Sequence, residues 1–191
     1  HMLSLRLPLM SNCSPLDIVQ GKFSSMIPKP KLGLRNEHCW HNREQVIEFC
    51  QNVRLNRQEA AFGADIIAGF PTETDDMFED TLNLVKDANI SYLHVFPYSS
   101  RKDTPAAKMP QVPQAIRKQR AALLREIGRK NTENLYLSMM NTTQKVIVEH
   151  GGFGRAENFG LIRLEDNLQV RSEVSVMVYK YENNILHGKM L

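Results

Sequence analysis

The stretch GADIIAGFPTET, residues 63–74, decides how this sequence is read. Together with the preceding Ala60, Ala61 and Phe62 it forms a short, nearly all-apolar run broken only by Asp65. Such a run fits a strand covered on both faces, as in a parallel sheet. Gly69 and Pro71 then turn the chain, and Thr72 with Asp75, or Thr74, caps a following helix. Ligands of open α/β sheets sit at the carboxyl ends of parallel strands, and Gly69 stands at such an end. A glycine there lets a flat ligand approach the backbone closely. The helix amides behind Thr72 and Thr74 favour a carboxylate or phosphate. A plain strand-to-helix turn without a ligand would read the same way.

Working outward, NREQ at residues 42–45 reads as a capping box, with Asn42 accepting from the first turn and Gln45 reaching back. Val46, Cys50 and Val53 follow at helical spacing, flanked by Ile47 and Phe49. After the central turn, Phe78, Leu82 and Val85 form the stripe of a second helix that ends at DAN, residues 87–89. Asp75, Asp76, Glu79 and Asp80 complement the dipole at its start. ISYLHVFPYS, residues 90–99, is a second strand, in which His94 reads as a satisfied core residue. The order helix, strand, helix, strand is that of βα units in a parallel sheet. A Pro-rich loop spans 99–113, and a long helix follows over 114–137 with Ile116, Leu123, Leu124 and Ile127 on its apolar side. Gly128 inside it costs about 1 kcal/mol relative to Ala.

The texture changes after Met140. TQKVIVEHGG, RAENFGLIRLE and EVSVMVYKYENNILHGK are short β runs separated by turn residues. Val174, Val176 and Val178 alternate with Ser175, Met177 and Tyr179, the period of a half-buried strand. ENN, residues 182–184, reads as a hairpin turn. Several short strands in so few residues suggest a small barrel. The expected fold class is therefore α/β followed by a small all-β barrel, with an irregular segment over 1–40, an α/β unit over 41–137 and the barrel over 138–191.

Of the 191 residues, 42% are hydrophobic and 24% charged, enough for a buried core and ordinary for a soluble protein. No apolar run approaches the roughly 20 residues that span a bilayer. No signal-peptide pattern opens the chain, which makes the cytoplasm the expected location. His1-Met2 reads as a vector-derived remnant. LSLRLPL could be a strand that Pro8 confines to an edge, and residues 24–38 read as an irregular loop or disordered arm. The net charge of +3 is uneven: +3 over 1–40, −4 over 41–113, +4 over 114–137 and zero over 138–191. Cys13, Cys39 and Cys50 make no CxxC pair and no disulfide framework. HCWH, residues 38–41, sets two imidazoles beside a thiol, but such near neighbours rarely point at one ion, so no metal site is expected.

Two stretches carry a family resemblance. GADIIAGFPTET together with LHVFPYSSRKDTPAAKMP, residues 93–110, closely resembles the radical-SAM tRNA methylthiotransferases, nearest to the branch acting on N6-threonylcarbamoyladenosine beside the anticodon. IVEHGGFGRAENFGLIRL, residues 147–164, resembles the start of the TRAM domain that closes those enzymes. The resemblance runs from about His41 to the C-terminus. It implies that 41–137 is the last part of a partial (β/α) barrel and 138–191 a TRAM, OB-like, RNA-binding β-barrel. It further implies that Ile67, Gly69 and Phe70 lie near the adenosyl group of S-adenosylmethionine, with Phe96, Pro97 and Tyr98 beside the adenine. Core packing is the alternative for Ile67, Phe70 and Phe96.

Three departures qualify the resemblance. The family's CxxxCxxC loop holds a [4Fe–4S] cluster through three thiolates, and cysteines spaced as here make no such loop. Within this sequence no stretch is expected to correspond to the family's N-terminal, second-cluster domain, and residues 1–40 barely match. In the loop, Ser100, Lys102 and Asp103 stand where Pro, Pro and Gly are expected. The chain is thus expected to be a C-terminal portion of a methylthiotransferase, inactive alone and unable to bind the cluster. Its expected partner is the tRNA anticodon stem-loop. Arg117, Lys118, Arg120 and Arg125 on the long helix would follow the RNA backbone, and Phe153, Arg155, Phe159 and Arg163 on the barrel's first hairpin would meet unpaired bases. The alternatives are a solvated helix face, Phe159 in the barrel core, a stand-alone RNA-binding module without catalysis, or a non-functional fragment. An incomplete barrel leaves a sheet edge open, which invites self-association.

Overall fold

A computed structural model describes residues 3–5, 42–164 and 168–191, with the backbone alone for residues 3–5. Most of residues 1–40, with Cys13, Cys39, Trp40 and the HCWH segment, lies outside the described residues. Three parallel strands form a sheet in the order β1 (Leu3–Leu5), β2 (Phe62–Ala68), β3 (Tyr92–Pro97). The apolar run around residue 64 is thus the central strand, with β1 at an edge.

Helix α1 (Arg43–Asn56) opens with the expected reciprocal cap, Gln45 N–H donating to Asn42 Oδ1 at 2.9 Å and Asn42 N–H to Gln45 Oε1 at 3.0 Å. Helix α2 (Asp75–Asp87) is capped by Thr74, whose hydroxyl accepts from Met77 N–H at 3.2 Å. Thr72 instead takes a left-handed backbone, φ +69°, within the turn. Arg54 ties the first units together: its guanidinium lies 4.6 Å from the centroid of the Phe62 ring and donates to the carbonyls of Ala88 and Asn89 at the end of α2.

Helix α3 (Gln114–Ser138) lies along β3. Its buried stripe is Arg120, Ala121, Leu124 and Gly128, with Ile127 partly covered. Ile116 and Leu123, expected on the apolar side, are exposed. The contact line is a close one: Leu93 Cβ would sit 3.0 Å from a Cβ on Gly128, and Ala121 and Leu124 beside it are fully buried.

All three helices share one core with Phe62, Ala64, Ile66, Ala68, Leu93 and Val95, so they cover one face of the sheet. Strand alternation sends Asp65, Ile67, His94 and Phe96 to the other face. His94 is exposed there, not a core residue, and Phe96 is 55% exposed. The expected strand covered on both faces is therefore covered by helices on one face only, as in the wall of a β/α barrel.

Residues beyond α3 form the expected small barrel. β4 (Thr143–Val148), β5 (Phe153–Ala156), β6 (Leu161–Arg163), β7 (Glu173–Glu182) and β8 (Ile185–Met190) close in the order β4-β5-β6-β8-β7. Val146, Ile162, Val176, Val178 and Leu186 are fully buried inside it. Asn183 and Asn184, φ +51° and +61°, make the two-residue turn from β7 to β8, a conformation that asparagine tolerates well.

A Cβ at Gly154 would stand 2.3 Å from Val146 Cγ1 and 2.9 Å from the Ile147 carbonyl. Gly154→Ala should therefore destabilise the barrel by about 1–3 kcal/mol. Ile147→Ala, on the exposed outer face, should stay within about 0.5 kcal/mol. Urea midpoints at unchanged slope check this, and equal shifts for the two variants would contradict the packing described.

Candidate functional site

At the carboxyl end of β2 the chain turns through Gly69, φ +73°. The space a side chain would fill there is taken by Arg117, whose Cγ would lie 2.3 Å from a Cβ on Gly69. The glycine thus admits α3, not a ligand, on that side. Gly69 N–H donates to Glu73 Oε2 at 2.9 Å. The same carboxylate accepts from Arg120 Nη1 at 2.5 Å, while Arg120 Nη2 reaches Asp75 Oδ1 at 2.6 Å. Side-chain exposure is 6% for Arg120 and 2% for Glu73. Arg120 is therefore a buried partner of this turn and not part of an exposed helix face. Burial pushes the Glu73 carboxyl above its usual value, against the pull of Arg120 and the Gly69 N–H.

Phe70 and Tyr98 close the same end. Their rings meet edge-on at 5.3 Å between centroids, over Ala106, with Ile67 and Met109 alongside. Both are buried, so their side chains serve as packing. Tyr98 N–H donates to the Ala68 carbonyl at 2.8 Å, and the Tyr98 carbonyl accepts from Arg117 Nη1 at 2.7 Å. Ile67 and Phe96, which pair across the strands, remain as apolar surface at the strand ends on the helix-free face, while the exposed Pro97 alternates to the helix side with Leu93 and Val95.

Cys50 does not fit a cluster ligand. It is fully buried, and burial pushes its thiol up to about 11, with Arg54 only partly opposing. An iron–sulfur cluster requires the thiolate. Among the described residues no group of three or more His, Cys, Asp or Glu side chains could hold a metal ion.

A second concavity lies where β3, α3 and the barrel meet. This cleft of about 530 Å³ is lined from β3 by Tyr92, Leu93 and His94, from α3 by Arg125, Gly128, Arg129, Thr132 and Tyr136, and from the barrel by Arg155 and Phe159. No carboxylate lines it. Arg129 is held by Glu126 and Glu133, and Arg155 by Glu149. Arg125 donates to the Val95 carbonyl at 2.9 Å and has no carboxylate partner among the described residues.

The loop between β5 and β6 is locked to the α/β unit. Tyr92 Oη donates to the Asn158 carbonyl at 3.1 Å, and burial, reinforced by Tyr136, holds that phenol well above its usual value and so protonated. Leu161 N–H donates to Tyr136 Oη at 3.3 Å. Between these anchors Asn158 is buried and Phe159 is turned out, 40% exposed, on a left-handed backbone of φ +66°. Phe159 is thus not barrel core. Phe153 and Arg163 pair across the hairpin, the guanidinium 5.8 Å from the ring centroid, on the same outward face of β5 as Arg155. Lys118 is exposed on α3. The sequence pointed to Arg125, Arg155 and Phe159 but missed Tyr92, Tyr136 and Asn158, whose contacts span 25 to 66 residues.

Curated relatives settle the family. Over 130 residues the chain is 49% identical to the threonylcarbamoyladenosine tRNA methylthiotransferase MtaB of Rickettsia prowazekii, covering 68% of this chain and 31% of that protein. The chain belongs to the radical-SAM tRNA methylthiotransferase family. It is also 32% identical over 139 residues to the MtaB enzyme of Aquifex aeolicus, covering 72% of this chain and 34% of that protein. With the tRNA-2-methylthio-N(6)-dimethylallyladenosine synthase of Opitutus terrae it shares 39% over 110 residues, covering 57% and 23%. The chain spans about a third or less of the length of these methylthiotransferases. No protein-family model matches it.

Removing Arg120 from the first site leaves a carboxylate buried without its countercharge. Arg120→Met should cost about 3–5 kcal/mol near neutral pH. A carboxyl raised above its unfolded value binds its proton more readily in the folded state, so stability falls as pH rises through the folded value. The deficit of Arg120→Met should therefore shrink from about pH 7 to about pH 5, and Glu73→Gln added to it should recover part of the loss. Urea unfolding at both pH values tests this, and a deficit constant with pH would show that Glu73 is not the group left unpaired.

Proposed function

We propose that this chain is the C-terminal portion of a tRNA methylthiotransferase acting on N6-threonylcarbamoyladenosine beside the anticodon, and that its own task is to hold the tRNA. In this reading residues 41–137 are the last part of a partial (β/α) barrel and 138–191 a TRAM-like RNA-binding barrel. The 49% identity to an enzyme named for threonylcarbamoyladenosine favours that branch. One observation carries the RNA reading: the cationic face of α3 and the first hairpin of the barrel converge on one cleft that no carboxylate lines. Lys118, Arg125, Phe153, Arg155, Phe159 and Arg163 form the RNA-facing set, while Arg117 and Arg120 serve the packing of α3 on the β2 turn.

The family's chemistry belongs to S-adenosylmethionine and iron–sulfur clusters. The helix-free ends of β2 and β3, at Ile67 and Phe96, would contribute one wall for the adenosyl group. The main chain at Gly69 supplies no free N–H there, since Glu73 holds it. The cysteines do not suit the cluster, so the chain alone should not cleave S-adenosylmethionine. Anaerobic reconstitution with iron and sulfide that yielded cleavage would overturn this. A stand-alone RNA-binding module is the second reading, favoured by the closed barrel, which needs no further strand.

Fluorescence anisotropy with a tRNA anticodon stem-loop, at two salt concentrations and beside a scrambled hairpin, tests the proposal. Binding should prefer the stem-loop and weaken steeply with salt. Arg125→Gln should weaken binding to both hairpins and reduce the salt slope by about 1. Equal, salt-insensitive or absent binding would refute RNA holding as the function of this chain.

A further inference from the structure

We infer that the cleft between β3, α3 and the barrel is a pocket for one unpaired nucleotide, its base stacked on Phe159 and its phosphate at Arg125. The inference rests on the RNA reading above and assigns it a specific place. Phe159 is a bulky residue held at φ +66°, a conformation that costs of order 1–3 kcal/mol and is usually left to Gly or Asn. Its neighbour Asn158 is buried and fixed, its side chain accepting from Gly160 N–H at 3.1 Å and its carbonyl from Tyr92. The loop is therefore built to present the ring, and packing of the barrel does not require it there. The space in front of the ring, about 530 Å³, is within the range of small-ligand sites.

The charges match a nucleotide better than a free anion or an apolar peptide. Arg129 and Arg155 are partly neutralised by their own carboxylates. Arg125 keeps donors beyond the one spent on Val95, so it is the cation open to a phosphate. His94, exposed at the β3 side, offers a donor or acceptor to a base edge. An aromatic face, one available guanidinium and polar groups at the rim are what a single splayed base needs.

The test uses the whole chain and anticodon stem-loops carrying an abasic site at each loop position in turn. Phe159→Asn suits the left-handed backbone, so it should fold with a Tm at or above that of the parent. Its affinity for the intact stem-loop should fall about 5- to 150-fold, while Phe159→Tyr stays within about threefold. In the parent one abasic position should weaken binding by a similar factor, and the same position should add nothing in Phe159→Asn. Parent binding that is unaffected by Phe159→Asn, or an abasic profile without a single sensitive position, overturns the pocket while leaving RNA binding intact. A parent that binds no RNA overturns the RNA reading and this inference with it.

Discussion

Four side chains of α3 donate to main-chain carbonyls along β3 and its flanks: Arg117 to Tyr98, Arg125 to Val95, Thr132 to Ser91 and Asn131 to Ile90, at 2.6 to 2.9 Å. Helix and strand run in opposite senses, so these bonds act like rungs over most of the helix. They fix both the distance and the rotation of α3 against the sheet. Small residues on the contact line, Ala121 and Gly128, let the helix come close enough for the rungs to form. Where α3 lies decides everything that follows it in the chain, because its last turn carries Tyr136 into contact with the barrel. The same bonds bear on self-association: the Val95 carbonyl that an added strand would use is already occupied by Arg125.

The buried Glu73–Arg120 pair acts at the other end of the helix. Paired burial of this kind is rarely worth much net free energy, because desolvation offsets most of the attraction. Its effect is geometric. Glu73 accepts at once from Gly69 N–H and from Arg120, so the turn after β2 and the start of α3 cannot move independently. The strand end is thereby shaped by the protein's own groups, and the open surface that remains is the helix-free side with Ile67 and Phe96.

The cleft arises from two rigid parts meeting. α3 brings arginines, the barrel brings Phe159, and the bond from Tyr92 to Asn158 holds the loop at a fixed distance from β3. Neither part alone makes the concavity. A family that works on tRNA has reason to keep the junction rigid, since phosphate contacts fix register only if their spacing does not fluctuate. Strain stored at Phe159 is consistent with a residue kept for contact at the expense of stability.

Much of the fold was legible in the residues themselves. Local rules sufficed for the Asn42 capping box, the alternation of Val174, Val176 and Val178, the Asn183–Asn184 turn and the apolar run of β2, because each depends on neighbours within a few positions. The family, too, was legible, in GADIIAGFP and HVFPYS. What local rules misjudged depends on distant partners. Six arginines and lysines on α3 look alike in sequence, yet Arg120 is buried by Glu73, 47 positions away, and Arg117 is spent on Gly69 and Tyr98. His94 reads as core in an apolar strand, but only the sheet's placement of all helices on one face shows that it is exposed. Phe159 reads in sequence as an RNA-facing ring with barrel core as the alternative, and only its left-handed backbone beside Asn158 and Gly160 decides that it is turned outward. Composition and spacing therefore determined the elements, and the resemblance of a few stretches to a known family indicated the lineage. The tertiary structure alone decided which cations are free and which ring is presented, because both depend on contacts between segments far apart in the chain.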